Sequence, residues 1–122
     1  MIDVLLVAVM MSGRPGTQIQ DLSVCPKGVY GCADIQGNII HMRPDLAAML
    51  PRLNEIQPYQ AALAVIVFCH EAKHLTGLLD ERITQRWAVY HAPIIARLLG
   101  ATKEWVARMR PWLKWWDRRL GE

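Results

Sequence analysis

From Ala61 to Cys69 nearly every residue is apolar. A helix that is apolar all round is a buried one, so this run predicts a helix at the centre of the molecule. Pro58 occupies the favoured first-turn position for it, and Gly77 supplies a natural stop. The pattern on either side breaks into shorter pieces. Val4 to Met11 is an apolar run far short of the ~20 residues that span a bilayer, and it is expected as a buried first element. Ser12 to Gly16 is a breaker cluster, and the polar stretch after it to Asp21 reads as a loop. Val29–Ile35 and Ile39–Met42 are β-friendly runs separated by Gln36-Gly37-Asn38, the residues of a tight turn, and predict a β-hairpin.

Arg43-Pro44 ends the second strand. Asp45 is placed to cap a short helix reaching Leu50, where Pro51 interrupts it. Asp80 is placed to cap a helix from about Glu81 through Tyr90, bent or broken near Pro93 and punctuated by Gly100. Thr102 caps a last helix, in which Trp105, Met109, Trp112 and Trp116 recur at spacings of four, three and four as one apolar stripe, and Pro111 should kink it. The predicted architecture is α+β: a small β-hairpin or sheet over a mostly helical body with a central buried helix. One domain is expected over residues 1–122, with an N-terminal element and loop over 1–24 and a Trp/Arg-rich C-terminal helix over 101–122.

Composition narrows the class. A chain of 122 residues has room for one domain of ordinary size. Being 52% hydrophobic and 20% charged with no long polar tract, it is not a disordered chain. The net charge of +3 is unevenly placed: from Arg108 to Arg119, Arg108, Arg110, Lys114, Arg118 and Arg119 stand against Asp117 alone. That segment is read as a solvated face, and its tryptophans as packing rather than as a platform for bases; nucleic acid is not the expected partner. Three cysteines, at 25, 32 and 69, form no CxxC pair. Cys25 and Cys32 can bridge across a turn if the protein is exported, whereas Cys69 lies in the apolar run as a small core residue. The first apolar run follows Asp3 and lacks an A-x-A-like cleavage site, a poor signal peptide. The expectation is therefore a cytoplasmic protein without a membrane segment, with export left open.

The chemistry is concentrated where the apolar run ends, at His70-Glu71-Ala72-Lys73-His74. Two histidines four apart on a helix project from one face and can share a zinc ion. Glu71 lies beside them, where a carboxylate can take a proton from water that the metal has made acidic. Three fixed residues in this arrangement arise by chance on the order of once in a few hundred chains of this length. Leaving these groups buried without partners would cost several kcal/mol, which favours a metal. His41 and His91 are weaker candidates, read as surface or hydrogen-bonded core residues and left out of the ligand set. Tyr59 and Tyr90 are candidate oxyanion donors that no spacing demands.

His70, Glu71, His74, Gly77 and Asp80 together, H-E-x-x-H-x-x-G-x-x-D, resemble the extended motif of the metzincin branch of the zincin metallopeptidases, and its aspartate form is similar to that of the snapalysin-like bacterial proteases. The resemblance implies a zinc peptidase with His70, His74 and Asp80 as ligands and Glu71 as general base. It also implies an edge strand above the active-site helix, assigned to Ile39–Met42, that holds extended substrate. Lys73 stands where the inner positions of that motif are ordinarily uncharged. A second likeness, to the minimal gluzincin or ImmA-type pattern, makes Glu81 the third ligand, followed by Gln85 and Ala88, and leaves Asp80 as a helix cap. The expected partner is a peptide or protein substrate, the cofactor Zn2+. The rivals are a zincin-fold binding or regulatory module that cleaves little and a basic helical interaction protein acting through residues 102–120.

Overall fold

The apolar run does form the central helix. In a computed structural model describing residues 3–120, α3 (Pro58–His74) opens with Pro58 in its first turn and buries every side chain from Ala61 to Cys69. Phe68, Ile66 and Val65 are wholly inaccessible, and each such side chain contributes roughly 1.5–3 kcal/mol of burial. Two long helices cover α3: α4 (Glu81–Leu98) and α5 (Lys103–Leu120). Small residues on the buried side of α4, Ala88, Ala92 and Ala96, let the two axes approach closely. α1 (Val4–Ser12), α2 (Pro44–Met49) and the sheet pack against the remaining sides of α3, so the fold is α+β with one core. No helix among the described residues is long and apolar enough to cross a membrane.

The sheet has three strands in the order β1 (Gln18–Gln20), β3 (Ile39–Met42), β2 (Gly31–Asp34). β2 and β3 form the expected hairpin, antiparallel, with Asn38 at a φ of 59° and the Gly37 N–H donating to Asp34 Oδ1 at 2.8 Å. β1 pairs parallel with β3, and it falls in the stretch expected as a loop: Gln-Ile-Gln is too short and too polar to announce a strand. The consequence is a correction. Ile39–Met42 is the central strand, with Ile40 and Met42 fully buried, and the edge next to the chemistry is β2.

The other departures have local causes. α1 buries Val7, Ala8 and Met11 but leaves Leu5, Leu6 and Met10 about half exposed, because a single-sided contact can bury only one face of an all-apolar helix. Pro44, not a capped Asp45, opens α2; the Asp45 carboxylate is taken by the Arg43 guanidinium at 2.6 Å. α4 runs through Pro93 to Leu98 rather than breaking there, its buried alanine face held against α3. α5 also continues through Pro111, and Thr102 caps it as expected, accepting the Trp105 N–H at 3.1 Å. The stripe that α5 buries is Trp105, Val106, Met109 and Leu113, while Trp112 stays exposed at 37%. The basic residues 108, 110, 114, 118 and 119 are exposed. Cys25 and Cys32 form a disulfide, and Cys69 is a free, buried thiol.

β2 touches α3 at a glycine. A Cβ on Gly31 would lie 2.7 Å from the His41 carbonyl oxygen, 3.0 Å from Val67 Cγ1 and 3.1 Å from Glu71 Cγ. Because the first of these is backbone, the strand itself must move to make room. Gly31→Ala is therefore expected to destabilise the fold by about 1–3 kcal/mol, read as a lower urea midpoint; an unchanged midpoint would show that β2 is not pressed against α3.

Candidate metal centre

α3 ends by delivering His70 and His74 to one face, one helical turn apart, with ring centroids separated by 4.8 Å. The chain then reverses through Gly77, whose φ of 97° is open to glycine and strained for other residues. This reversal starts α4 beside the end of α3. Asp80 sits at the N-cap and its carboxylate accepts the Ile83 N–H at 2.9 Å. Glu81, the first residue of α4, reaches back instead: its carboxylate oxygens lie 3.0 Å from His70 Nε2 and 2.8 Å from His74 Nε2. Of the two acidic residues considered as third ligand, Asp80 is turned to the helix end and Glu81 faces the histidine pair. Adjacent residues at a helix start diverge by about 100°, so once one caps the helix the other is free to face α3.

The far side of each imidazole decides what the near side presents. His74 Nδ1 is 2.7 Å from the Leu78 carbonyl oxygen, which can only accept, so Nδ1 carries the hydrogen. His70 Nδ1 is 2.7 Å from Gln85 Oε1, and the same amide uses its NH2 to donate to Asp117 Oδ1 at 3.3 Å. That orientation makes His70 Nδ1 a donor as well. The two Nε2 atoms face each other across 3.1 Å with the Glu81 carboxylate against both, and in the neutral form of each ring that Nε2 carries a lone pair. In that form three acceptors converge with no donor between them. Such a set calls for a proton or a cation.

A divalent metal fits the donor set. Atoms sharing a tetrahedral zinc at about 2.0–2.1 Å lie about 3.3–3.4 Å apart, so separations of 2.8 to 3.1 Å need to open by only a few tenths of an ångström. One ligand atom each of His70, Glu71 and His74 falls within 4.8 Å of the others. Glu71 is wedged between α3 and β2 at Gly31. Burial, with the Glu81 charge adding to it, pushes the Glu71 carboxyl up from 4.5 to about 8.

Beside these groups opens a cleft of about 1180 Å3, bounded by Gly28–Gly31 on one side and by α4 and the end of α5 on the other. Its strand wall carries unused backbone groups. Tyr30 C=O accepts from Arg43 N–H at 3.0 Å, and the register pairs Gly31 with Met42 and Cys32 with His41. In an antiparallel ladder bonded pairs alternate with unbonded ones, so the N–H and C=O of Gly31, which lines the cleft, and of Ala33, further along β2 and outside its lining, point away from β3, toward the free edge.

The remaining sequence candidates lie elsewhere or play other parts. His41 is buried in β3 with Nδ1 2.7 Å from the Asp21 carbonyl oxygen, and its Nε2 has no partner. His91 stacks on Trp87 at 4.3 Å, and Tyr59 packs against Trp112. Tyr90 does line the cleft and is 75% exposed. Lys73 is turned outward over the Trp87 ring, 4.8 Å from its centroid, so its charge leaves the histidine face untouched. Reading the sequence did not find Asp117, the β2 edge or the Leu78 carbonyl; Asp117, the one acid between Arg108 and Arg119, was the only one of the three with a visible signal. No family model, curated protein or solved structure matches the chain.

The raised Glu71 carboxyl makes a prediction with a definite sign. Its neutral form suits the fold, so the stabilisation it gives the metal-free protein is complete below pH 4.5 and drains away as pH rises toward about 8. Urea midpoints of wild type and Glu71→Gln measured across that window should converge at the acid end and diverge in the variant's favour toward pH 8. Parallel curves would mean that Glu71 is not buried as described. Asp80→Ala should cost about 1 kcal/mol at any pH in this window, as loss of a helix cap does.

Proposed function

We propose that this protein is a zinc-dependent peptidase, with His70, His74 and Glu81 as the zinc ligands and Glu71 as the general base. The observation that carries the reading is the convergence on the Glu81 carboxylate of two Nε2 atoms whose rings are each held from behind, beside a half-buried second carboxylate. A zinc ion held there would supply Lewis acidity, making water acidic near neutral pH and polarising a carbonyl.

The chain's own residues do the rest. Gln85 and Leu78 fix the histidine tautomers, and Asp117 holds Gln85 in turn; such outer partners commonly change metal affinity 10–100-fold. Glu71, one residue past His70 and lining the cleft, is placed to take the proton of the attacking water and return it to the leaving amine. The Gly31 and Ala33 backbone groups offer a ladder for an extended peptide, laid alongside β2 in the manner of an added strand. Tyr90, exposed on the cleft, is available to a developing oxyanion.

Purified protein should carry about one zinc per chain; less than about half an equivalent would count against the reading. Glu71→Gln should keep the metal and lose hydrolysis of an unfolded protein substrate by roughly 10²–10⁴-fold. Glu81→Ala should weaken zinc binding by more than about tenfold, and Asp80→Ala by much less. The reverse ranking would return Asp80 to the ligand set.

A further inference from the structure

The cleft carries charge that peptide hydrolysis alone does not use. Among its lining carboxylates, Glu81 faces the two histidines and Asp117 is engaged by Gln85, while Glu71 is wedged under Gly31. Three guanidinium groups line the same cleft: Arg82, Arg86 and Arg119. All three are exposed, and none forms a salt bridge among the described residues. Exposed guanidinium groups with no ion-pair partner, set on a wall of the cleft away from the histidine-facing carboxylate, draw negative charge to that wall.

Their placement follows from helix geometry. Glu81 and Gln85 point one face of α4 at His70. Arg82 and Arg86 each follow by one residue, so they form a second row turned about 100° from the first, four apart and side by side. Arg119 comes from the end of α5, its guanidinium lying over the Trp115 ring at 4.1 Å from the centroid, which holds a flexible side chain in place. Ile66, Val67 and Val89 supply apolar lining between the strand and the arginines.

We propose that the cleft selects acidic peptides: an extended chain whose backbone lies along β2 and whose Asp or Glu side chains, close to the bond presented to Glu71, are received by Arg82 and Arg86, with Arg119 adding attraction at the far wall. A guanidinium receives a carboxylate through two parallel hydrogen bonds. A peptide is favoured over a nucleic acid because the free N–H and C=O groups of Gly31 and Ala33 pair with an amide backbone and not with a sugar-phosphate one. The inference rests on the peptidase reading for the role of the bound peptide, and not for the fact of binding.

The test uses two fluorescent peptides of equal length and apolar content, one bearing glutamates and the other glutamines at the same positions. Anisotropy titrations are run on zinc-loaded Glu71→Gln protein and on metal-free wild type. The acidic peptide is expected to bind at least about tenfold more tightly at low salt, with the advantage shrinking as salt screens it. In Arg82→Gln/Arg86→Gln, which alters only exposed side chains, the preference should disappear while the glutamine peptide binds as before. Equal binding of the two peptides, a preference that survives the double substitution, or no binding of either overturns the proposal. So does tighter binding of a single-stranded oligonucleotide of matched charge. Failure of the peptidase reading looks different: an acidic preference that persists in a protein holding no zinc and cleaving neither peptide sinks that reading alone.

Discussion

The candidate site depends on how the two imidazoles are held from behind. A histidine pair at helical spacing is commonplace, and either ring can flip or change tautomer to suit its surroundings. Here the Leu78 carbonyl and the Gln85 amide oxygen each demand a hydrogen from Nδ1, so in a neutral ring each Nε2 is left as the acceptor on the same side as the Glu81 carboxylate. Mutual repulsion among those acceptors must be offset by something positive. The folding energy that maintains the arrangement comes from elsewhere. α3 is clamped by the burial of its apolar run against α4, α5 and the sheet, and the short turn through Gly77 leaves α4 nowhere to begin but beside the histidines.

That division of labour explains what could be read from residues alone. The buried helix was legible because an unbroken apolar run has a single stable location. His70, Glu71 and His74 were legible because helical spacing dictates which side chains meet. The caps at Asp80 and Thr102 and the turn at Gln36–Asn38 were legible because local backbone needs select few residue types. The sequence favoured Asp80 over Glu81 as third ligand, but both precede or open α4, and which of them faces the histidines turns on which carboxylate satisfies the orphan N–H groups of the helix start. In three dimensions Asp80 caps α4 and Glu81 faces the histidine pair.

The sheet shows the complementary failure. Three residues, Gln-Ile-Gln, carry too little hydrophobic signal to be seen as a strand, yet their parallel pairing with β3 moves Ile39–Met42 from the edge to the centre and passes the free edge to β2. The tryptophan stripe of α5 erred by phase, since Trp112 at a spacing of three from Met109 falls outside the buried face and Leu113, at four, falls within it. α1 erred by assuming that apolar residues must all find cover. Each miss concerns non-local pairing, which composition does not encode residue by residue.

Cys69 carries one more consequence. It is the residue immediately before His70, wholly buried and unbonded, while the other two cysteines are tied to each other, and burial holds its thiol far from ionisation. A thiol reagent can reach it only when the central helix leaves its neighbours. The chain thus contains a natural timer: the rate at which Cys69 is alkylated reports how often the scaffold beneath the histidines opens, and any ion that bridges α3 to α4 must slow that clock.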